Sequence, residues 1–424
     1  MSMSAWRIET KCLQEGYKPG NGEPRVLPIY QSTTYKYNST EQVAKLFDLT
    51  EPGHMYSRIS NPTVACLENK IAALEGGVGA LCTSSGQSAT LNALLNIGEC
   101  GDHFVSSSTI YGGTYNLLAI TIKRMGIEVT FVNPDSSEEE IQKAFRPNTK
   151  ALFGETIANP KINVLDIEKF ARIAGKNQVP LIVDNTFATP VLCRPFEWGA
   201  DIVIHSTTKY MDGHATCIGG AIVDSGKFDW TNGKYPLLTT ADASYHGVVY
   251  TKDFGAAAYI TKARVQYMRD IGNCMSPNNA FLTNLGLETL HIRIERHSEN
   301  ALKVARYLED SNKIISVSYP GLAEDPYHRL AEKYLPKGCS GVISFRIKGG
   351  REGAVKFMDR LKMAAIVVHV ADARTSVLHP ASSTHRQMND EQLLQAGIEP
   401  DLIRFSVGLE HVDDILEDIE QALE

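Results

Sequence analysis

The chain has 424 residues, of which 43% are hydrophobic and 21% charged, and its formal net charge is -7. This length exceeds one compact core and predicts two or three domains. A mildly acidic chain without a basic cluster has no electrostatic reason to bind nucleic acid or an anionic membrane, and its apolar runs are too short to cross a bilayer. We therefore expect no nucleic-acid partner and no membrane partner.

Eight cysteines are scattered along the chain without a C-x-x-C pair. This spacing favours reduced thiols over a disulfide framework or a set of metal ligands. Residues 1–10 also lack the basic start and apolar run of a secretory signal. We therefore expect a cytoplasmic protein without a bound metal.

The N-terminal segment, residues 1–62, is rich in polar and turn-forming residues and shows little hydrophobic periodicity. We interpret it as an extended arm that lies on a partner subunit. From residue 63 onward, short apolar runs at 152–153, 181–183 and 202–204 alternate with amphipathic stretches, one of them a helical pattern at 166–176. Strand, helix and strand in short order predict an α/β domain with a mostly parallel sheet, which we assign to residues 63–270.

The final part of the chain, residues 271–424, has a different pattern. Apolar and polar residues alternate at 342–348 and at 403–407, as in half-exposed strands, and a helical stripe covers 412–419. We predict a smaller α+β domain here. A long helical stretch at 279–308 is expected to join the two domains.

Polar residues follow the predicted parallel strands at the points where these strands end. Asp184 ends one apolar run, Ser206, Thr208 and Lys209 follow the next, and Asn159 comes shortly after the run at 152–153. In open parallel sheets, ligands bind beyond the carboxyl ends of the strands. The sequence therefore predicts one pocket that holds an amine, a carboxylate, an amide and hydroxyl groups.

A second feature of this pocket is the segment Ser85, Gly86 and Gln87, which precedes a helical pattern with leucines on one face. Small residues at a helix start leave backbone N–H groups free to bind an anion. An ordinary serine N-cap explains the same residues, so both interpretations remain open.

Together these groups suit pyridoxal phosphate. Lys209 supplies an amine for a Schiff base, and Asp184 supplies a carboxylate that keeps the pyridine nitrogen protonated. Taken alone, a lysine after a strand is more often a solvated surface residue, and an aspartate there is more often a capping residue. The combination of the two favours the cofactor site. Ser206 and Lys209 also match the S-x-x-K of serine β-lactamases, but the companion S-D-N and K-T-G motifs are absent from the sequence.

Two further residues are candidates for the same pocket. Arg404 lies on the polar side of an alternating strand, from which its guanidinium could bind a substrate carboxylate, although a solvated strand face explains it equally. Tyr111 precedes two glycines and could stack on a flat cofactor, or be a packed turn aromatic.

At this point the sequence resembles the Cys/Met-metabolism pyridoxal-phosphate enzymes over nearly its whole length. The resemblance rests on ordered motifs at 56–63 (YSRISNPT), 85–87 (SGQ), 110–114 (IYGGT), 183–186 (VDNT), 206–210 (STTKY), 379–382 (HPAS) and 404–409 (RFSVGL). It implies the aspartate-aminotransferase fold, fold type I, and a homotetramer built from two tight dimers.

The resemblance also implies residue roles. Lys209 would form the Schiff base and act in catalysis with Asp184, which pairs with the pyridine nitrogen, and with Tyr111, which stacks on the ring. Asn159 would lie near the ring hydroxyl and Arg404 would bind the substrate carboxylate. The implied phosphate ligands are Ser85, Gly86, Gln87, Ser206 and Thr208. Tyr56 and Arg58 would reach the neighbouring subunit's cofactor and, for Tyr56, its substrate.

Within the family, the insert at 227–269 and the segments 111–116 and 372–375 resemble the O-acetylhomoserine sulfhydrylases. The implied reaction is replacement at the γ-carbon, in which O-acetylhomoserine and sulfide or methanethiol give homocysteine or methionine and acetate. Methionine γ-lyases usually carry a cysteine at the position of Gly113, which argues against that branch. The stretch 188–190, in contrast, resembles the lyase and cystathionine branches as much as it resembles the sulfhydrylases. Elimination, the cystathionine activities and a non-catalytic cofactor-binding protein therefore remain alternatives.

Overall fold

The structure is a computed structural model and describes residues 6–383, 386 and 399–424. Its larger sheet has seven strands in the order β1-β7-β6-β5-β4-β2-β3. These strands are β1 Gly79–Thr83, β2 His103–Ser107, β3 Glu128–Val132, β4 Thr149–Glu155, β5 Leu181–Asp184, β6 Ile202–His205 and β7 Gly220–Asp224. Strand β7 pairs antiparallel with β1 and β6, and the other pairs are parallel. The predicted mostly parallel sheet is confirmed.

Both faces of this sheet are covered. Leu152, Val183 and Val203 belong to one buried apolar cluster, whereas Phe153 and Ile182 belong to a second cluster on the opposite side. Side chains alternate between the two faces of a strand, so a strand buried on both sides needs apolar residues at every position. This arrangement explains why the predicted strands appear in the sequence as continuous apolar runs.

A second sheet lies in the C-terminal part of the chain and has the order β10-β11-β12-β9-β8. Its strands are β8 Ile314–Ser318, β9 Val342–Ile347, β10 Ala365–Ile366, β11 Ser376–Leu378 and β12 Leu402–Ser406. Strands β10 and β11 pair in parallel, and the other pairs are antiparallel. The predicted smaller α+β unit is thus present, while the domain boundaries at residues 62 and 270 stay predictions.

The expected half-exposure of two strands in this sheet was wrong at most polar positions. Ser344, Arg404 and Ser406 are buried, whereas Arg346 keeps 36% of its side chain accessible and Lys348, just after β9, is exposed as predicted. The polar face is buried because it packs toward the larger sheet, where the Ser344 hydroxyl donates to the carbonyl of Pro160. The alternating polar residues of these strands therefore mostly face the larger sheet and not solvent.

Helices surround both sheets. The longer ones are Ile8–Gln14, Thr40–Phe47, Pro62–Glu75, Gly86–Leu95, Ile167–Lys176, Pro277–Glu288, Leu290–Glu309, His328–Tyr334, Gly350–Arg360 and Val412–Leu423. The predicted helix at 166–176 is confirmed, and its N-cap Asp166 accepts a hydrogen bond from the backbone of Lys169. The predicted stretch 279–308 is two helices that are separated at Thr289, where the backbone leaves the helical region.

The N-terminal segment differs from the predicted extended arm. It contains two helices, and Cys12 of the first is fully buried within the main apolar cluster. Seven residues are too few for the hydrophobic period to be distinguished from chance, which is why the sequence did not indicate this helix. Between the helices the backbone is irregular, as expected for an arm. In the described part of the chain, no helix is both long and apolar enough to cross a membrane.

Candidate active site

Lys209 lies in the turn that follows β6, at the carboxyl edge of the large sheet. Its amino group is 3.4 Å from Nδ1 of His369, a residue of the loop between β10 and β11. Burial, and next the positive charge of Arg404, lower the pKa of Lys209 to about 8. The amine therefore loses its proton at a much lower pH than an exposed lysine does.

Arg404, in the middle of β12, brings the small sheet to the same pocket. Its guanidinium donates from Nη1 to Oδ1 of Asn159 at 3.2 Å and from Nη2 to the backbone carbonyl of His369 at 3.0 Å. The residue is only 7% exposed, and burial lowers its pKa to about 10. The structure thus brings together Lys209, Arg404 and Asn159, which are predicted site residues from three parts of the chain.

Asp184 ends β5 and is held by the turn that follows. Its Oδ1 accepts hydrogen bonds from the backbone N–H of Thr186 at 2.9 Å and from the Thr186 hydroxyl at 2.5 Å. The same hydroxyl accepts from the backbone N–H of Ser206 at 2.8 Å, which ties the ends of β5 and β6 together. Burial raises the pKa of Asp184, and the Thr186 hydrogen bonds oppose that rise. Its Oδ2 accepts no hydrogen bond from any described residue and is free for a ligand.

Glu155 is a buried acid that sequence reasoning missed. It ends β4 beside Asp184 in the register of the sheet and is 6% exposed. Its two oxygens accept from the backbone N–H of Tyr111 at 2.7 Å and from that of Asn159 at 3.3 Å. Burial, and next the neighbouring Asp184, raise its pKa well above the usual range. Glu155 therefore fixes the backbone of two predicted site residues at once.

The helix Gly86–Leu95 begins at the same edge of the sheet. The Ser85 hydroxyl caps it by accepting from the backbone N–H of Ser88 at 3.1 Å, so the N-cap interpretation is correct for this side chain. The backbone N–H groups of Gly86 and Gln87 lie in the first turn, where no carbonyl of the helix can accept from them, and they donate to no described residue. The anion interpretation therefore remains for the backbone of these two residues.

Gly86 occupies a place where no side chain fits. A Cβ atom added to it would lie 2.6 Å from Cβ of Ser206. The helix start and the turn after β6 can approach this closely only because residue 86 is glycine. Thr208, two residues farther along, exchanges hydrogen bonds with the backbone of Gly219 at 3.0 and 3.2 Å, so its hydroxyl is held in place by β7.

Tyr111 precedes a short helix at the rim of the pocket, and its side chain is 46% exposed. A Cβ atom at Gly113 would lie 2.5 Å from the Tyr111 ring and 2.8 Å from the side-chain amide of Gln87. The ring and the amide therefore lie together over the start of the helix Gly86–Leu95. Any side chain at position 113 would require the Tyr111 ring to move.

Tyr56 and Arg58 form no hydrogen bond with the pocket residues Lys209, Asp184 or Arg404 in the described part of the chain. The Arg58 guanidinium lies 5.2 Å from the centre of the Tyr56 ring, and both side chains are exposed. Their segment is held from behind by Arg264, which donates to the carbonyl of Ile59 at 3.0 Å. Both side chains are therefore accessible on the surface of the single chain.

The pocket residues fit pyridoxal phosphate. Free N–H groups at a helix start suit a phosphate, and the unused oxygen of Asp184 suits a protonated ring nitrogen. A positive ring nitrogen beside Asp184 would favour its ionised form and oppose the effect of burial. An amine with a lowered pKa suits a Schiff base. This donor set belongs to a pyridoxal-phosphate enzyme of the aspartate-aminotransferase fold.

Comparison with known proteins defines the family. The family model described as "Cys/Met metabolism PLP-dependent enzyme" matches residues 9–424, and the chain belongs to this family. It is 47% identical to O-acetyl-L-homoserine sulfhydrylase of Leptospira meyeri, over 99% of this chain and 97% of that protein. It is 46% identical to homocysteine synthase of Schizosaccharomyces pombe, over the full length of both.

A solved structure agrees with these relatives. The putative O-acetylhomoserine (thiol)-lyase of Campylobacter jejuni superposes with a TM-score of 0.95 at 39% identity, covering 99% of this chain and 100% of that one. In that crystal structure a lysine carries a pyridoxyl phosphate group. The prediction of the fold, the family and the cofactor is confirmed.

Proposed function

We propose that this protein makes homocysteine from O-acetyl-L-homoserine and sulfide, with release of acetate. The observation that carries the proposal is the convergence of Lys209, Arg404 and Asp184 on one pocket in a chain whose relatives are O-acetylhomoserine sulfhydrylases and homocysteine synthases. Methanethiol in place of sulfide would give methionine by the same route. The reaction replaces one group on the γ-carbon of the amino acid by another.

Arg404 and Lys209 have separate tasks in this reaction. The Arg404 guanidinium, fixed by Asn159 and by the His369 carbonyl, binds the α-carboxylate of the amino acid. The cofactor, when bound, spreads the negative charge that develops at the substrate carbon. Lys209, released from the cofactor by the amino group of the substrate, takes the α-proton on its neutral nitrogen.

The same lysine is placed to return and remove further protons. A proton must also leave the β-carbon before acetate departs from the γ-carbon. Sulfide then forms the new C–S bond, and protons return to the β- and α-carbons. The sum is O-acetylhomoserine plus hydrogen sulfide giving homocysteine plus acetic acid. Tyr111, Asp184 and the phosphate ligands Ser85, Gly86, Gln87, Ser206 and Thr208 hold the cofactor through these steps.

We further propose that the active unit is a homodimer, two of which form the tetramer. Tyr56 and Arg58 are exposed and lie against each other, which is expected if they complete the pocket of a neighbouring subunit. An exposed aromatic ring and guanidinium suit contact with a partner's cofactor phosphate and substrate. The eight free cysteines support a reducing, cytoplasmic location.

Elimination without sulfide, as in a γ-lyase, is the alternative activity. Elimination and replacement share the steps up to loss of the γ-substituent. They differ in whether sulfide then adds to the γ-carbon. The tight fit at Gly113, where a Cβ atom would displace the Tyr111 ring, favours replacement over the lyase pattern with a cysteine at this position. The insert at 227–269 favours it as well.

The test is steady-state turnover of O-acetylhomoserine with and without sulfide, in which homocysteine and 2-oxobutyrate are measured separately. We expect homocysteine to form only when sulfide is present and to exceed 2-oxobutyrate. Dominant 2-oxobutyrate from O-acetylhomoserine, together with its release from methionine, would show that the protein is a lyase.

A further inference from the structure

His369 has a side chain that the reaction described above does not yet use. It lies in the loop between β10 and β11, and its Nδ1 is 3.4 Å from the Lys209 amino group. Its side chain is 21% exposed, so the ring lines the pocket and is not a surface group. Lys209 follows a strand of the large sheet, and His369 lies in a loop between two strands of the small sheet. The contact therefore joins the two sheets.

The loop that carries His369 is anchored on both sides of the ring. The backbone carbonyl of His369 accepts from Arg404, and the N–H of Ala371 donates to the Ser406 hydroxyl at 2.8 Å. Ala371 has a φ of 68°, in the left-handed region, which is unfavourable for a residue with a Cβ atom. The surrounding contacts therefore hold this loop in a backbone conformation that it would not adopt by itself.

The surroundings of the ring determine its charge and its tautomer. The groups that face it are Lys209, Arg404, Asp372 and Asp212, and burial with the two cations outweighs the two acids and lowers the pKa of His369 to about 4. The ring is neutral at pH 7. An ammonium group has no lone pair and can only donate, so while Lys209 is protonated Nδ1 accepts and the ring proton resides on Nε2.

The surroundings of Nε2 are consistent with this tautomer of His369. Nε2 is buried and has no hydrogen-bond partner among the described residues, of which the acid within ion-pair distance is Asp372, with its Oδ2 at 3.8 Å. An N–H that faces a carboxylate from this distance is favourable, whereas a bare lone pair there would be repelled. Both sides of the imidazole thus assign Nδ1 as the acceptor for Lys209.

We propose that His369 is the positioning residue of Lys209, holding its amino group by a hydrogen bond to Nδ1 whenever that group is free of the cofactor. The inference rests on the proposed role of Lys209 as the proton acceptor, not on the identity of the sulfur donor. One N–H directed at Nδ1 fixes the direction of the nitrogen lone pair. When the substrate C–H bond breaks and the proton joins Nζ, the ammonium still donates to Nδ1, which offsets part of the cost of a buried charge.

The test compares two substitutions in the holoenzyme. His369→Asn keeps an acceptor oxygen near the place of Nδ1, whereas His369→Leu keeps a similar volume without an acceptor. Both keep the backbone carbonyl that binds Arg404, so binding of the carboxylate is unchanged. The first readout is exchange of the α-proton of L-alanine, an amino acid without a γ-group, with deuterated solvent, followed by NMR. The second is the cofactor content from visible absorbance.

We expect His369→Leu to slow α-proton exchange ~10–100-fold, because a poorly placed base loses about this much. Its cofactor content and its KM for alanine should stay within ~3-fold of those of the wild type, as expected when transition-state interactions alone are lost. His369→Asn should recover most of the exchange rate. His328→Leu, on a helix of the small domain outside the pocket, serves as the control with wild-type exchange.

Wild-type exchange by His369→Leu would overturn the proposal. So would His369→Asn being no better than His369→Leu while both retain the cofactor, because the acceptor atom would then not matter. A raised KM and lost cofactor in both variants would indicate a structural role and would also overturn it. If the wild type exchanges the α-proton but makes no homocysteine, the sulfhydrylase proposal fails while this comparison remains decisive.

Discussion

At the scale of single residues, the pocket is defined by two cations that lie close together in a buried place. Arg404 is held by hydrogen bonds to Asn159 and to a backbone carbonyl, and it has no acid of its own among the contacts described above. Its charge therefore acts on Lys209, in addition to burial, and lowers the pKa of that lysine to about 8. The proposed reaction needs an arginine that can bind the substrate carboxylate and a lysine that is readily deprotonated.

The first prediction concerns the pH at which the cofactor attaches to the apo-protein. The neutral amine is the nucleophile, so the attachment rate should rise with pH through the pKa of about 8 and level off above it. Arg404→Ala removes a charge that lowers this pKa, so the inflection should move to higher pH. The rate is measured from the visible absorbance after pyridoxal phosphate is mixed with apo-protein.

The control for this shift is Arg296→Ala, since Arg296 is exposed on a helix and pairs with Glu299. Its profile should match that of the wild type. An Arg404→Ala profile with an unchanged or lowered inflection would contradict the electrostatic account of Lys209.

The second prediction concerns Glu155. Glu155→Leu leaves the part-buried backbone N–H groups of Tyr111 and Asn159 without this acceptor, and an unpaired donor costs up to ~1–3 kcal/mol when it is fully shielded from water. Glu155→Gln keeps one acceptor oxygen and nearly the same shape. We expect a larger loss of thermal stability and of cofactor affinity in Glu155→Leu than in Glu155→Gln, measured by calorimetry and by absorbance titration. Equal losses would show that the two hydrogen bonds are not what Glu155 provides.

The residues that sequence reasoning identified are those whose neighbours in the chain carry a clear pattern. Asp184 and Lys209 follow apolar strand runs, and Arg404 interrupts one. Glu155 ends such a run too, but its partners are backbone groups and these leave no mark in the sequence. His369 lies in a loop without periodicity, and its contact with Lys209 spans 160 residues. Only the fold brings that pair together.

At the scale of secondary structure, the strands were predictable because burial on both faces requires apolar residues at every position. The N-terminal helix was not, because seven residues carry too little period, and the strand at 403–407 was assigned the wrong environment. In both cases tertiary packing decided what the local pattern left open. The helix start at Gly86 shows the same point, since the N-cap interpretation is confirmed for the Ser85 side chain, while the anion interpretation stays a prediction for the backbone of Gly86 and Gln87.

The third prediction tests that helix start. Gly86→Ala places a methyl group 2.6 Å from Cβ of Ser206, so the helix and the turn must separate and the free N–H groups must shift. We expect ~10-fold or greater loss of cofactor affinity, a size that corresponds to ~1.4 kcal/mol of binding free energy. It is measured by titrating apo-protein with pyridoxal phosphate.

Gly175→Ala is the matched control for this change. Gly175 also lies in a helix, Ile167–Lys176, but a Cβ atom there meets nothing within 4 Å. It should bind the cofactor as the wild type does and gain ~1 kcal/mol of stability from the higher helix propensity of alanine. If both glycine variants bind the cofactor normally, the close approach of Gly86 and Ser206 is not required.

At the scale of the whole molecule, residues from both sheets of the chain line the pocket, and Tyr56 and Arg58 are exposed. If these two residues complete the pocket of the partner, then Lys209→Ala in one chain and Arg58→Ala in the other damage the same pocket of a mixed dimer. The pocket that keeps Lys209 would receive a normal Arg58 from the other chain. The fourth prediction is that mixing the two inactive variants restores activity.

Random pairing should give about a quarter of the wild-type activity, since half of the dimers are mixed and each has one intact pocket out of two. The two variants are unfolded together, refolded together and assayed for homocysteine. Each variant refolded alone serves as the control. No recovery in the mixture, with mixed dimers demonstrated by mass spectrometry, would contradict the exchange of residues between subunits.

Lys209, as the residue that holds the cofactor, is central to the proposed reaction and to the proposed role of His369. The most direct measurement is reduction of the holoenzyme with borohydride, digestion, and location of the pyridoxyl group by mass spectrometry. We predict that the peptide with residues 206–210 carries the group on Lys209 and that Lys209→Ala carries none. The other buried lysine with a pKa lowered to about 8, Lys262, offers a clear contrast. A pyridoxyl group on Lys262, or on any lysine but Lys209, would contradict the site described above.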